Sequence, residues 1–204
     1  SQGAISGEYV RVNGFTISAQ SVSDEKSITL IANPYNYPPH QTTLGRIIEV
    51  TNAGAVDGIL NSGTQQLVGS FTISGSTLST APLRVTELTF ALAKSTGFSI
   101  SNWSIGISGS SDQITCAKAD VTHINCAGIS EAMGALIDGQ GTFNLFASVE
   151  LIETDTPQTL QVSLDTPGEY GVNGSVWWTD GTIRFTWVEI EAPLAEGTMW
   201  TIDE

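Results

Sequence analysis

The chain has 204 residues, 40% of them hydrophobic and 14% charged, with a net charge of −14. It is long enough to bury a sizeable core, and its apolar residues recur too regularly for a disordered segment. The charge is uneven: residues 1–130 hold 8 acids and 6 bases, for −2, and residues 131–204 hold 13 acids against Arg184 alone, for −12. Such a field excludes nucleic-acid backbones and anionic membrane surfaces as partners. No apolar run approaches the roughly 20 residues of a membrane span, so membrane insertion is excluded as well.

In chain order, the first element is the run 7–18, in which Asn13-Gly14 divides Val10 and Val12 from Phe15 and Ile17. Read as a hairpin, it pairs Val12 with Phe15 and Val10 with Ile17; read as one long strand with a bulge, it puts the same four residues on one face. Ser1 in place of Met predicts a processed start. Residues 27–32 read as a short strand. The Pro- and Tyr-rich stretch 33–41 cannot be central sheet and is either a rigid crossover between sheets or a surface contact or ligand site. Further strands are predicted at 47–51, 66–74, 83–93, 98–107, 141–152 and 160–164, and a single short helical turn within 129–137. The alternation in 83–93 is imperfect.

Cys116 and Cys126 flank two short strands around a turn near 118–120. A disulfide across this loop contributes about 3 kcal/mol in the chain-entropy model, and with the Ser/Thr-rich, low-charge composition it predicts an extracellular setting. Paired buried thiols are the competing reading. The run 174–190 carries Asp180-Gly181 between alternating bulky residues, a two-residue hairpin signal. Counting outward pairs Thr179 with Thr182, Trp178 with Ile183, Trp177 with Arg184 and Val176 with Phe185. Val176, Trp178, Ile183, Phe185 and Trp187 then share a core face, with a Trp177–Arg184 cation–π pair on the other. Strands at 8–12-residue spacing predict an all-β, antiparallel β-sandwich or jelly roll of ten to twelve strands with little helix. A single domain over 1–204 is expected, with 1–18 as a separable segment.

Templates for catalysis fail: there is no His-Glu-x-x-His, phosphate loop or nucleophile elbow, and the chain is not expected to be an enzyme. Glu189 and Glu191 on one strand face read as a solvated strand end rather than a glycosidase pair. Trp103, Trp177 and Trp200 are left free to form a platform for surface glycans. Asp112, Asp120, Asp138, Glu150, Glu153, Asp155 and Asp165 lie near turns and are candidate calcium ligands. Asn102 and Asn173 head sequons and are candidate glycan acceptors.

The ordered series Leu67-Val-Gly-Ser-Phe-Thr-Ile73, Leu83-Arg-Val-Thr-Glu-Leu-Thr-Phe90, Thr142-Phe-Asn-Leu-Phe-Ala-Ser-Val-Glu-Leu151, Leu160-Gln-Val-Ser-Leu164 and Val176-Trp-Trp-Thr-Asp-Gly-Thr182 resembles β-sandwich modules of prokaryotic surface-layer and pilus-like proteins. A looser likeness in size and composition is to jelly-roll fibre subunits of the TasA/camelysin and archaeal β-pilus or cannula kind. The resemblance implies a structural or adhesive protein with no catalytic residues. It makes the expected function a self-polymerising filament or surface-layer subunit. In that reading Tyr9, Val10, Val12, Phe15 and Ile17 form a strand-exchange interface with a second copy of the chain. The competing function is a monomeric cell-surface adhesin or carbohydrate-binding module.

Overall fold

The computed structural model describes residues 9–10, 15–20, 27–32, 40–41, 45–77, 83–133, 136–137, 139–152, 156–169 and 171–203. The chain divides into two compact units, 1–43 and 44–204. In the first, β1 (Tyr9–Val10) pairs with β4 (His40–Gln41), and β2 (Phe15–Gln20) pairs antiparallel with β3 (Ser27–Ala32). Val10 therefore faces His40, and Ile17 faces Leu30, in place of the expected Val10–Ile17 pair. Val12 and the Asn13-Gly14 turn lie outside the described residues.

The second unit is a two-sheet sandwich. One sheet has five strands, in the order β10 (Gln113–Thr115), β9 (Phe98–Ile107), β14 (Gln140–Leu151), β7 (Gly63–Thr77), β5 (Gly45–Asn52). The other has nine, with the path β11 (Ala117–Lys118), β12 (His123–Ala127), β8 (Leu83–Lys94), β15 (Gln158–Leu164), β18 (Ala195–Asp203), β6 (Asp57–Asn61). The short strands β13 (Leu136–Ile137) and β16 (Val176–Thr179) also pair with β8, and β17 (Arg184–Phe185) pairs with β16. Among the described strands every ladder is antiparallel except β18 on β6. The fold is thus all-β, as the sequence predicts; the strand count is higher in part because β1, β4, β11, β13 and β17 are two-residue pieces. The helical turn is α1 (Ile129–Met133).

The core lies between the sheets. Phe143, Leu145, Ala147 and Val149 alternate inward from β14, and Leu160, Val162 and Leu164 from β15. Across the gap Phe71 and Phe90 meet with ring centroids 5.5 Å apart. Each such side chain contributes about 1.5–3 kcal/mol when fully buried. On β8 the inward set changes parity, from Leu83 and Val85 to Leu88, Phe90 and Leu92. The β16 ladder shows why: Trp178 pairs with Val85 and Trp177 with Glu87, so Thr86 is an extra residue, a β-bulge. The imperfect alternation in the sequence is this bulge.

The hairpin around Asp180-Gly181 also corrects the count. Trp178 pairs with Phe185 and Thr179 with Arg184, so the loop spans four residues rather than two. Asp180, 1% exposed, accepts hydrogen bonds at Oδ1 from the amides of Thr182 (3.0 Å) and Ile183 (3.4 Å), and Gly181 takes φ +86°. That side-chain-closed turn competes with the two-residue type. A shift of two keeps side-chain parity, so the two faces survive. Trp178 stacks on Phe185 at 4.3 Å, and the Arg184 guanidinium lies 4.4 Å from the Trp177 ring centroid while pairing with Glu87.

Candidate binding groove

Where β8 ends and the chain returns as β9, the sandwich opens between its sheets. Leu92 and Lys94 come from β8, Phe98, Ser99, Ile100 and Trp103 from β9, Lys118 from β11 and Ile124 from β12, with Val121 from the turn between the last two. Together they line a groove of about 280 Å³. A bulge in β9 turns one of its apolar floor residues inward. On β9 the pairs Phe146–Ser104 and Ser148–Ser101 leave Asn102 and Trp103 opposite Ala147 alone. Asn102 takes φ +51° in this bulge, a conformation Asn tolerates better than most residues. The inserted residue changes parity, so Trp103 joins Phe98 and Ile105 in the core and is only 5% exposed.

The far wall is held covalently. Residues 113–118 pass from β10 in one sheet to β11 in the other, and the crossing residue Cys116 is disulfide-bonded to Cys126 on β12. The Cys116 amide also donates to the Trp103 carbonyl at 2.9 Å. Lys118 is therefore displayed two residues from a cross-link that ties together the crossover and β12. The turn that follows is closed by Asp120. Its carboxylate accepts from the Thr122 amide (2.7 Å) and hydroxyl (3.0 Å) and sits 2.9 Å from His123 Nδ1. The Thr122 amide bond, followed by the His123 contact, lowers the Asp120 carboxyl from 3.8 to about 2.

The rim is cationic. The lysines of the whole chain are Lys26, Lys94 and Lys118, and the last two line this groove. Lys94 Nζ is 4.9 Å from the Phe98 ring centroid and donates to the Ser95 carbonyl at 3.2 Å. Among the described residues no carboxylate pairs with either lysine; the ion pairs there are His123–Asp120 and Arg184–Glu87. Val121, 77% exposed, stands at the lip. Sequence reading missed both lysines. The available signal was that, past residue 43, no other lysines occur in a strongly acidic chain.

The sequence-selected residues fall elsewhere. Tyr9, Val10, Phe15 and Ile17 lie on strands whose partners are in the same chain. Asp112, Asp120 and Glu150 are exposed and do not converge, while Asp138, Glu153 and Asp155 lie outside the described residues. Among the described residues no group of three or more His, Cys, Asp or Glu is placed to hold a metal ion. Asn102 and Asn173 are exposed, but Ser104 and Ser175 of their sequons are buried and donate to Gln113 and Asp165. The tryptophan platform is corrected: Trp103 and Trp178 are buried, and Trp177, Trp187 and Trp200 are half-buried. Trp200 lies against the Gly58 backbone and donates from Nε1 to the Val68 carbonyl at 2.8 Å. Glu189 and Glu191 are exposed and beyond the strands. Residues 33–39 lie outside the described residues.

No protein-family model matches the sequence, and no curated protein matches it significantly. Solved structures match at the level of fold. The protein described as "AvmM Catalyzes Macrocyclization in Alchivemycin A Biosynthesis" matches at 10% identity over 78% of this chain and 89% of that one, with a TM-score of 0.37. The Enterococcus faecalis MSCRAMM ACE, which binds its ligands by the collagen Hug model, matches at 6% identity over 96% and 61%, TM-score 0.33. A Clostridium thermocellum type I cohesin–dockerin complex matches at 10% identity over 79% and 97%, TM-score 0.30. At these scores the likeness carries no activity to this chain. The expected self-association is corrected to this extent: two of these structures are named for a ligand-binding adhesin and a cohesin–dockerin pair rather than for a homopolymer.

Proposed function

We propose that this chain is a non-catalytic, extracellular binding module of the adhesin type, which holds a protein unlike itself in the Lys94–Lys118 groove. The observation that carries the reading is the convergence of two lysines on an apolar-floored groove in a chain of net charge −14. The Cys116–Cys126 disulfide supports an oxidising, extracellular compartment.

The sheet edges support a module that does not polymerise through them. β11 and β10 are two and three residues long, β6 begins at Asp57 and ends at Asn61, and β5 carries exposed Arg46 and Glu49 beside a bulge between Ile47 and Glu49. Short, charged and bulged edges resist edge-to-edge pairing.

The test is to pan a phage-displayed random peptide library on the 204-residue chain and on its Lys94→Glu/Lys118→Glu variant, with sedimentation velocity run on both, with and without calcium. The reading predicts a monomer in every case and peptides enriched on the wild type only. Polymers, or enrichment indifferent to the two lysines, would overturn it.

A further inference from the structure

The chemistry of the groove narrows the partner. Its floor is made by Leu92, Phe98, Ile100, Trp103 and Ile124, and its volume of about 280 Å³ suits one or two side chains rather than a folded surface. The only uncharged polar side chain in the lining is Ser99, whose hydroxyl already donates to Glu150 at 3.4 Å. A sugar needs an exposed aromatic face and several hydrogen-bonding groups. Here Trp103 is 5% exposed, and Lys94 covers Phe98. An apolar side chain needs neither.

The rim asks for negative charge next to that side chain. Lys94 keeps ammonium protons beyond the one given to Ser95, and Lys118 is exposed on β11 at the edge of the same sheet. The nearest acid of the turn, Asp120, is already committed to Thr122 and His123. We infer that the groove takes a short peptide segment in which an apolar side chain adjoins a carboxylate, presented by a protein other than this chain. The apolar group fills the floor between the sheets and the carboxylate bridges Lys94 and Lys118. This assignment rests on the binding-module reading and adds the partner's chemistry to it.

The probe is acetyl-Leu-Asp-Leu-Glu-amide, titrated into the isotope-labelled 204-residue chain while the backbone amide spectrum is followed. Its uncharged counterpart, acetyl-Leu-Asn-Leu-Gln-amide, and glucuronate are run beside it. The expected result is shifts confined to Leu92, Ile100, Lys118, Ile124 and their neighbours. The midpoint rises about tenfold with the uncharged peptide or in the Lys94→Gln/Lys118→Gln variant, as loss of exposed ion pairs dictates. Both lysines are exposed, so the variant keeps its spectrum elsewhere. Equal binding of the uncharged peptide, shifts away from the groove, or no shift up to about 10 mM peptide would overturn the assignment. So would shifts with glucuronate alone. If panning still enriches peptides that need the two lysines but lack acids, the partner's chemistry fails while the binding-module reading stands.

Discussion

Thr86 is the extra residue of the β8 bulge, and its hydroxyl is buried without a hydrogen-bond partner. An unsatisfied buried hydroxyl costs about 1–3 kcal/mol, so Thr86→Val, nearly isosteric, is expected to leave stability unchanged or raise it. A chemical denaturation midpoint that falls by more than the equivalent of about 1 kcal/mol would contradict this. Asp120 offers a pH test. Its carboxyl is depressed from 3.8 to about 2, first by the Thr122 amide and then by His123. A depressed carboxylate contributes stability that is fully present above its unfolded pKa and is lost as pH falls through the folded one. Wild type should therefore lose stability relative to Asp120→Asn between about pH 4 and pH 2. Parallel curves from paired denaturations across that window would refute the Asp120 turn. The bulge shows in the sequence only as the imperfect alternation of 83–93, and Asp120 lies between β11 and β12, where counting along a strand says nothing.

At the scale of elements, the crossover 113–118 and its disulfide hold the part of the groove that carries Lys118. Replacing Cys116 and Cys126 together by Ser should lower unfolding free energy by about 3 kcal/mol, the chain-entropy value for a loop of this size. It should also weaken peptide binding in the folded protein, since Lys118 then hangs from an untied edge strand. Equal affinity would show that the cross-link serves stability alone. Elements of this kind differ in how far the sequence reveals them. The run 98–107 is predicted with its observed bounds, and the core face of the β16–β17 hairpin is legible despite the wrong turn, since an even register shift preserves faces. β18 is not predicted, because Glu196 and Gly197 interrupt its alternation. A Cβ at Gly197 would stand 2.0 Å from the Val162 carbonyl oxygen, so the close approach of β15 demands glycine there. The groove was illegible because its lining comes from four strands brought together only by the crossing of the chain between sheets.

At the scale of the whole molecule, the described sandwich has an apolar core, short or charged edges and a groove rimmed by two lysines, in a chain of net charge −14. The sandwich class follows from strand spacing and apolar periodicity, which are local. The partner does not, because a net charge of −14 says nothing of where the few bases gather. In the proposed reading the acidic field sharpens selectivity, since an acidic partner would be repelled elsewhere and attracted at the two lysines. The most direct measurement is isothermal titration calorimetry of one sequence selected on the wild-type chain, against wild type and against Lys94→Glu/Lys118→Glu. The account predicts a one-to-one complex whose affinity falls at least about tenfold in the variant. Equal affinities for the two chains would contradict it.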